Sequence, residues 1–428
     1  MSVLFKNARY LTPEFTVAEG CIGVSGRNIV YIGAEAPPVQ MDSVIDCRGK
    51  LLLPGFVNTH THLTMTLLRG YGENLSLQDW LFTRIFPFEG KLTDDAVYWG
   101  TMLGLAEGLR FGTTSCTDMY MGPGPICRAA DDSGCRINVS LMAPVGADQE
   151  GELPFVGAHD VLREWHGRDE GRIRIDSFVH AEYTTPQDRI ELMRDLAEEY
   201  RLNMHLHLSE TKSEHEECKQ RHDGLTPAAY FDSLGVFARP TTVAHAVWVE
   251  DDDMRIMAER GVTVAHNPVS NLKLASGIAP VPALIRAGVN VALGTDGAAS
   301  NNNLNLWEEM RLMALLHKGA NYDPTLITPR EALAAATVNG AVAQGREDCG
   351  TIAIGKKADL MLVDIDKPHM QPCYDMLNNL VFAAQGSDVV LTMVDGRILY
   401  HNGEYPTIDI EKVVFEVERC RKAILSQL

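Results

Sequence analysis

Two histidines one residue apart, His60 and His62 in Phe56-Val57-Asn58-Thr59-His60-Thr61-His62-Leu63, are the first side chains in this 428-residue sequence that could do chemistry. The apolar run before them, broken at Pro54-Gly55, reads as a buried strand. Alternate side chains of a strand share a face, so both imidazoles point one way and Thr59 and Thr61 the other. Two imidazoles on one face can hold a metal ion. A sequence with 14 histidines produces such a pair by coincidence, so the weight falls on what lies downstream. His60, His62, His207 and Asp296 together offer three nitrogens and one oxygen, a set suited to one divalent transition ion, zinc foremost and iron as the alternative. Taken by itself, Asp296 in Gly294-Thr295-Asp296-Gly297 would be a turn residue. Glu210, three residues past His207, has the chemistry to take up and return protons beside an activated water, although it also opens a charged run. His245, flanked by Val243-Ala244 and Ala246-Val247, is either a satisfied core histidine or a group that polarises the attacking water. His205 shares the face of His207 and reads as barrel interior or as support for the ligands.

These residues need a scaffold that brings distant positions together. From Leu51 onward the texture repeats about eight times as apolar strand, polar loop and amphipathic helix. Strands are expected at 51–58, 113–118, 137–143, 173–180, 203–208, 241–247, 262–266 and 289–294. Helices are expected at 93–111, 186–200, 251–259 and 280–287, the last two stopped by Gly261 and Gly288. Alternating strands and helices predict a parallel sheet, and eight units close into a (β/α)₈ TIM barrel, an α/β fold. The chemical residues then fall at strand ends: His60 and His62 on the first, Asp118 on the second, His180 on the fourth, His207 on the fifth, His245 on the sixth, His266 and Asn267 on the seventh, Asp296 on the eighth. Catalytic groups of such barrels come from those C-terminal ends. No lysine ends the fourth strand, where binuclear barrels of this kind carry a carbamylated bridge, so one ion is expected. Residues 1–50 and the tail after 351 carry short strands and turns, with helices at 304–318 and 330–344 between barrel and tail and a last helix at 410–428. The expected organisation is a small discontinuous β-sandwich domain of residues 1–54 and 351–428, with the catalytic barrel, 55–350, inserted in it.

Composition narrows the partners. A net charge of −19 and a pI near 5.1 argue against nucleic acid or an anionic membrane as a partner and leave small neutral or cationic molecules. There is no signal-peptide pattern at the start and no apolar run long enough to span a bilayer, so the default expectation is a soluble cytoplasmic protein. The nine cysteines are dispersed and never form a C-x-x-C pair, which suggests neither a disulfide framework nor a thiolate zinc site. A homo-oligomer is compatible with the sequence.

The chain resembles the amidohydrolase superfamily and, within it, the methylthioadenosine/S-adenosylhomocysteine deaminases, over nearly its whole length. The strongest parts are the stretch from Pro54 to Gly70, that from Trp80 to Thr93, residues 264–278 with Ser270-Asn271-Leu272-Lys273, and Gly294 to Asn303. The His-x-His opening and the Thr-Asp-Gly close mark the superfamily broadly, and the other two are narrower. The resemblance implies metal ligation by His60, His62, His207 and Asp296, proton shuttling by Glu210 and assistance from His245. It also implies that Glu89 accepts hydrogen bonds from the ribose 2′ and 3′ hydroxyls, as a carboxylate can, and that Trp80, His180 and Ser300 line the nucleoside pocket. Without it, Glu89 would read as a surface loop residue.

Two features depart from the pattern. Members that accept S-adenosylhomocysteine place an Arg at the end of strand three and another in the next loop, whereas here Leu141-Met142-Ala143-Pro144 is followed by the acidic 148–152 and no Arg before Arg163. The usual Pro-His-(Ala/Ser)-Pro-Tyr becomes Val179-His180-Ala181-Glu182-Tyr183, which brings an unexplained carboxylate towards the mouth. The expectation is a metal-dependent hydrolase that deaminates adenine nucleosides at C6, with 5′-methylthioadenosine, 5′-deoxyadenosine or adenosine ahead of S-adenosylhomocysteine. The alternatives are amino- or chlorohydrolysis of another heterocycle (guanine, a pterin, cytosine or a triazine), or a non-catalytic barrel, which would be expected to have lost its ligand set.

Overall fold

The computed structural model describes residues 2–142 and 157–428. Five strands come first: β1 (Ser2–Leu11), β2 (Val17–Ser25), β3 (Asn28–Gly33), β4 (Ser43–Asp46) and β5 (Lys50–Pro54). Eight more follow, each short and buried but for at most one residue: β6 (Phe56–Thr61), β7 (Thr113–Asp118), β8 (Arg136–Met142), β9 (Ile173–Val179), β10 (Met204–Leu208), β11 (Thr241–His245), β12 (Thr263–His266) and β13 (Asn290–Leu293). The chain ends with β14 (Leu360–Asp364), β15 (Val389–Val394), β16 (Arg397–His401) and the helix Ile410–Leu425.

Strands β6 to β13 pair in chain order, every pair parallel, as an eight-stranded sheet. Its two edges meet across a seam where Asp296 N donates to His60 O at 2.9 Å, Thr59 Oγ1 to Leu293 O at 2.8 Å and Thr295 N to Asn58 Oδ1 at 3.0 Å. The fold is therefore the expected α/β barrel. Strands from both ends of the chain form a second sheet in the order β16-β15-β14-β5-β1-β2-β3, with β4 beside β1. That sheet abuts the strand starts of the barrel: Gly55 N donates to Asp359 O at 3.0 Å, and Arg136 at the head of β8 is buried against Asp359 and Asp395. The opposite rim is left for chemistry.

The strand expected at 51–58 is two strands. Residues of β5 pair with β1 and β14, while β6 pairs with β7, because the chain changes sheet at Pro54-Gly55. A Cβ at Gly55 would collide with the Thr114 side chain, so only glycine permits this crossing. The helix expected at 330–344 is likewise broken into Pro329–Ala336 and Val338–Ala343 at Thr337, whose φ of −129° and ψ of −95° are not helical. The remaining expected helices appear with shifts of one to three residues, Thr93 capping Asp94–Arg110 by accepting from Ala96 N. The end of the expected third strand, Ala143, and the acidic 148–152 lie outside the described residues. No described helix is long and apolar enough to cross a membrane.

Candidate active site

At the C-terminal rim the seam brings β6 against the loop after β13, and His60 and His62 face Asp296. Asp296 Oδ1 lies 3.4 Å from His60 Nε2 and 3.1 Å from His62 Nε2. Each imidazole is oriented through its other nitrogen. His60 Nδ1 lies 3.1 Å from His205 Nε2, His62 Nδ1 meets the Met119 carbonyl, and His207 Nδ1 meets the His180 carbonyl at 2.8 Å. Fixing Nδ1 in this way leaves Nε2 as the presented nitrogen, the usual arrangement of metal-binding histidines. Donor atoms of His60, His62 and His207 all lie within 4.8 Å of one another, as do those of His60, His245 and Asp296.

The donor set fits a divalent ion. His60 Nε2 is fully buried without a hydrogen bond, although Asp296 is close, so it is poised for something other than a side-chain partner. Burial pushes His60 down to about 3, and burial together with the neighbouring histidines holds His207 well below its ordinary value, so both are neutral and able to donate a lone pair. Burial works against the Asp296 carboxylate, but His60 and His62 prevail and hold it well below the carboxylate range. Its other oxygen accepts from Ser270 Oγ at 2.6 Å and Ser300 Oγ at 2.8 Å. Asp296, His245 and Ser209 all have left-handed backbones, with φ of 59°, 73° and 48°. Such strain at three strand ends is held only where the surroundings over-determine it.

Glu210 and His245 stand together beside this cluster, His245 Nε2 lying 3.8 Å from Glu210 Oε2. The far nitrogen of His245 meets Asn271 Oδ1 at 2.8 Å, and Glu210 Oε1 accepts from Ser276 Oγ at 3.2 Å. Burial raises the Glu210 carboxyl, with His245 opposing. A carboxyl so placed can exchange protons with a neighbouring water or substrate nitrogen.

A cavity of 660 Å³ opens onto these groups, within the range that holds a small-molecule ligand. Its wall includes His62, His207, Glu210, His245 and Asp296, and also Glu89, Trp80 and His180. Glu89 is buried at the end of the helix Phe86–Glu89, not exposed in a loop; the resemblance, and not the local pattern, found it. Leu77, Leu81, Ile85, Phe86, Met119 and Met121 are among its apolar lining. Ser300 is not on the wall: its hydroxyl braces Asp296 from behind. Glu182 is not on the wall either. Arg221 grips both its oxygens, at 3.0 and 2.6 Å, and His222 lies 2.7 Å away, so it ties the loop after β9 to the helix Lys212–Arg221. His205 is the support behind His60, and His266 pairs with His317 at 3.4 Å, apart from the donor groups.

Two residues of the site were not anticipated. Glu214 accepts from the backbone N–H of Ser209 at 2.9 Å, of Glu210 at 2.8 Å and of Thr211 at 3.4 Å, fixing the loop that carries Glu210. The Thr-x-x-Glu spacing of Thr211 and Glu214 is a capping-box signal that could have revealed it. Tyr120 donates to Glu89 Oε1 at 2.6 Å, for which the sequence offers no signal.

Comparison with known proteins gives the family. The amidohydrolase family model matches residues 51–399. The 5-methylthioadenosine/S-adenosylhomocysteine deaminase of Dictyoglomus thermophilum is 44% identical over 98% of this chain and 98% of its own. The 5′-deoxyadenosine deaminase of Methanosarcina mazei is 39% identical over 100% of this chain and 99% of its own. The crystal structure of an adenosine deaminase from Xanthomonas campestris with bound zinc superposes with a TM-score of 0.92 at 32% identity, covering 99% of this chain and 98% of that one. On the match of its whole barrel and the likeness of full-length relatives, the chain belongs to the amidohydrolase family.

Proposed function

We propose that this protein is a metal-dependent aminohydrolase that converts adenine nucleosides to their inosine analogues with release of ammonia. The observation that carries the reading is a buried carboxylate, Glu89, in the wall of the same cavity as the His60–His62–His207–Asp296 donors and Glu210. A cavity with both kinds of group in its wall can take a vicinal diol at one and a hydrolysable amino group at the other, and the relatives' names, deaminases of 5-methylthioadenosine and 5′-deoxyadenosine, describe such substrates.

His60, His62, His207 and Asp296 would hold one divalent ion, zinc foremost, which when bound lowers the pKa of water from about 15.7 to near 7. The other groups do the proton work. Hydrolysis forms a C6–O bond and breaks the C6–N6 bond. Water gives up two protons, one to N1 and one to the departing amine: Glu210 is suited to deliver both, and Asp296, a strongly acidic carboxyl here, to take the first only in passing and hand it on. His245, aligned by Asn271, steadies the attacking oxygen. Glu89 accepts from the ribose hydroxyls, and Trp80 and His180 bound the base and sugar.

The same wall supports a preference for small or apolar 5′ substituents. No Lys or Arg lines the cavity among the described residues, and residues 143–156 contain none in sequence. Four acidic side chains, Glu89, Glu210, Glu214 and Asp296, make it hostile to an amino-acid carboxylate. The test is turnover, by ammonia release and the ultraviolet change of deamination, of 5′-methylthioadenosine, 5′-deoxyadenosine, adenosine, S-adenosylhomocysteine, guanine, cytosine and a pterin, with chloride release from a chlorotriazine. The first three are expected to lead. A higher kcat/KM for a free base or the triazine overturns the nucleoside reading, and one for S-adenosylhomocysteine overturns the 5′ preference.

A further inference from the structure

The loop after β7 does two things with two adjacent residues. The Met119 carbonyl fixes His62 Nδ1, and the Tyr120 hydroxyl donates to Glu89 Oε1 at 2.6 Å. Both Tyr120 and Glu89 are almost fully buried, at 4% and 8% exposure. Glu89 sits at the C-terminal end of the helical stretch 77–89, where no other side chain of that stretch hydrogen-bonds its carboxylate. Tyr120 is the one side chain among the described residues that hydrogen-bonds the Glu89 carboxylate. A carboxylate offers about four lone-pair sites and the phenol uses one, so Oε2 and the rest of Oε1 stay turned to the cavity. The Tyr120 ring lies 6.2 Å from that of His62, so the phenol spans from the metal-donor cluster to the carboxylate.

We propose that Tyr120 is the positioning residue that sets ribose selectivity, holding Glu89 in the one orientation that receives the 2′ and 3′ hydroxyls while its neighbour Met119 holds His62. This deepens the adenine-nucleoside reading and rests on it. The dipeptide 119–120 then fixes the separation between the reacting end of the cavity and the sugar end, because both ends are tied to consecutive residues of one strand terminus. A ligand with a base but no diol gains nothing from the tie.

The experiment compares adenosine with 2′,3′-dideoxyadenosine, which differ only in the diol, on the wild type, on Tyr120→Phe, which keeps the ring, and on Glu89→Gln and the double variant. The quantity read is the ratio of kcat/KM for the two nucleosides. In Tyr120→Phe that ratio is expected to fall about tenfold or more, the usual consequence of losing a hydrogen bond that organises a charged acceptor. Combined with Glu89→Gln, it is expected to add much less than that factor, since the two act through one contact. A parallel fall for both nucleosides, leaving the ratio unmoved, means a merely structural tyrosine and overturns the proposal. So does a Tyr120→Phe effect of full size in the Glu89→Gln background. A wild type that deaminates neither these two nor 5′-methylthioadenosine nor 5′-deoxyadenosine overturns the functional reading itself, a failure seen before any variant is made.

Discussion

Glu89 is a carboxyl almost sealed from water, and its ionisation decides how many hydrogen bonds it can accept, including the two proposed from a ribose diol. Burial pushes it up to about 7, with the Tyr120 hydrogen bond pulling the other way. Above that value it is a carboxylate acceptor, and below it a neutral acid with less acceptor capacity. KM for adenosine should therefore rise as pH falls through about 7, while KM for 2′,3′-dideoxyadenosine should lack that rise. Steady-state kinetics of both nucleosides across neutrality decide it, and a KM for adenosine that is flat there contradicts the assignment. The candidate metal donors and Glu210 were legible as a set, because strand alternation and strand ends bring them to one rim, and not one at a time, since Asp296 alone reads as a turn residue. Tyr120 was not legible: in Met119-Tyr120-Met121 it stands in an apolar triplet that reads as core, and its partner lies 31 positions back. Ser300 was legible as a site residue but misplaced onto the wall, since a hydroxyl four residues past Asp296 turns back to brace it.

Elements placed these residues with different degrees of visibility. The barrel strands and long helices carry the two periodicities cleanly, and helix ends at Gly261 and in the last turn before Gly288 follow from ordinary stop signals. The segment Leu77–Glu89 is the opposite case. Two single-turn helices flank a π-turn, with Pro87 inside the last of them; its buried residues Leu77, Trp80, Leu81, Ile85 and Phe88 do recur at helical spacing, but the π-turn and the proline mask the helix. The switch of sheet at Gly55 was hidden because both strands are apolar and contiguous. The element with the most direct hold on chemistry is the start of the helix Lys212–Arg221, where the Glu214 carboxylate satisfies three consecutive backbone N–H groups around the left-handed Ser209. Replacing Glu214 by Ala leaves those donors buried without an acceptor and frees the Glu210 loop. The expected cost is about 1–3 kcal/mol of stability and a fall in kcat of about tenfold or more with a smaller change in KM. Denaturant titration and steady-state kinetics check it. A loss of stability with kcat intact would show that the loop holds Glu210 without this cap.

At the scale of the whole molecule, one rim of the barrel is spent on chemistry and the other on joining the terminal sheet. The join is electrostatic at its centre. Arg136, at the head of β8, is 1% exposed and grips Asp359, just before β14, with Nε at 2.5 Å from Oδ2, while its Nη2 also meets Asp395 beyond β15. No sequence pattern announces this: Arg136 reads as a solvated residue before a strand, and its partners lie more than 220 positions away. Burial raises the Asp359 carboxyl, but Arg136 more than offsets this and holds it below its ordinary value. A carboxyl whose folded value is depressed adds stability that is present above about pH 4, the unfolded value, and is lost as pH falls through the folded one. Arg136→Leu removes the cation and keeps the bulk, leaving Asp359 buried without an ion-pair partner and Asp395 with Arg27 alone, which costs about 3–5 kcal/mol near neutrality. In the variant the sign reverses, because desolvation alone raises Asp359 and protonation relieves the penalty. The deficit in Tm relative to the wild type should thus be largest at neutral pH and shrink towards about pH 4.5. Calorimetry of both proteins over that interval measures it, and a deficit of constant size would mean that packing, and not the buried ion cluster, fastens the sheet to the barrel.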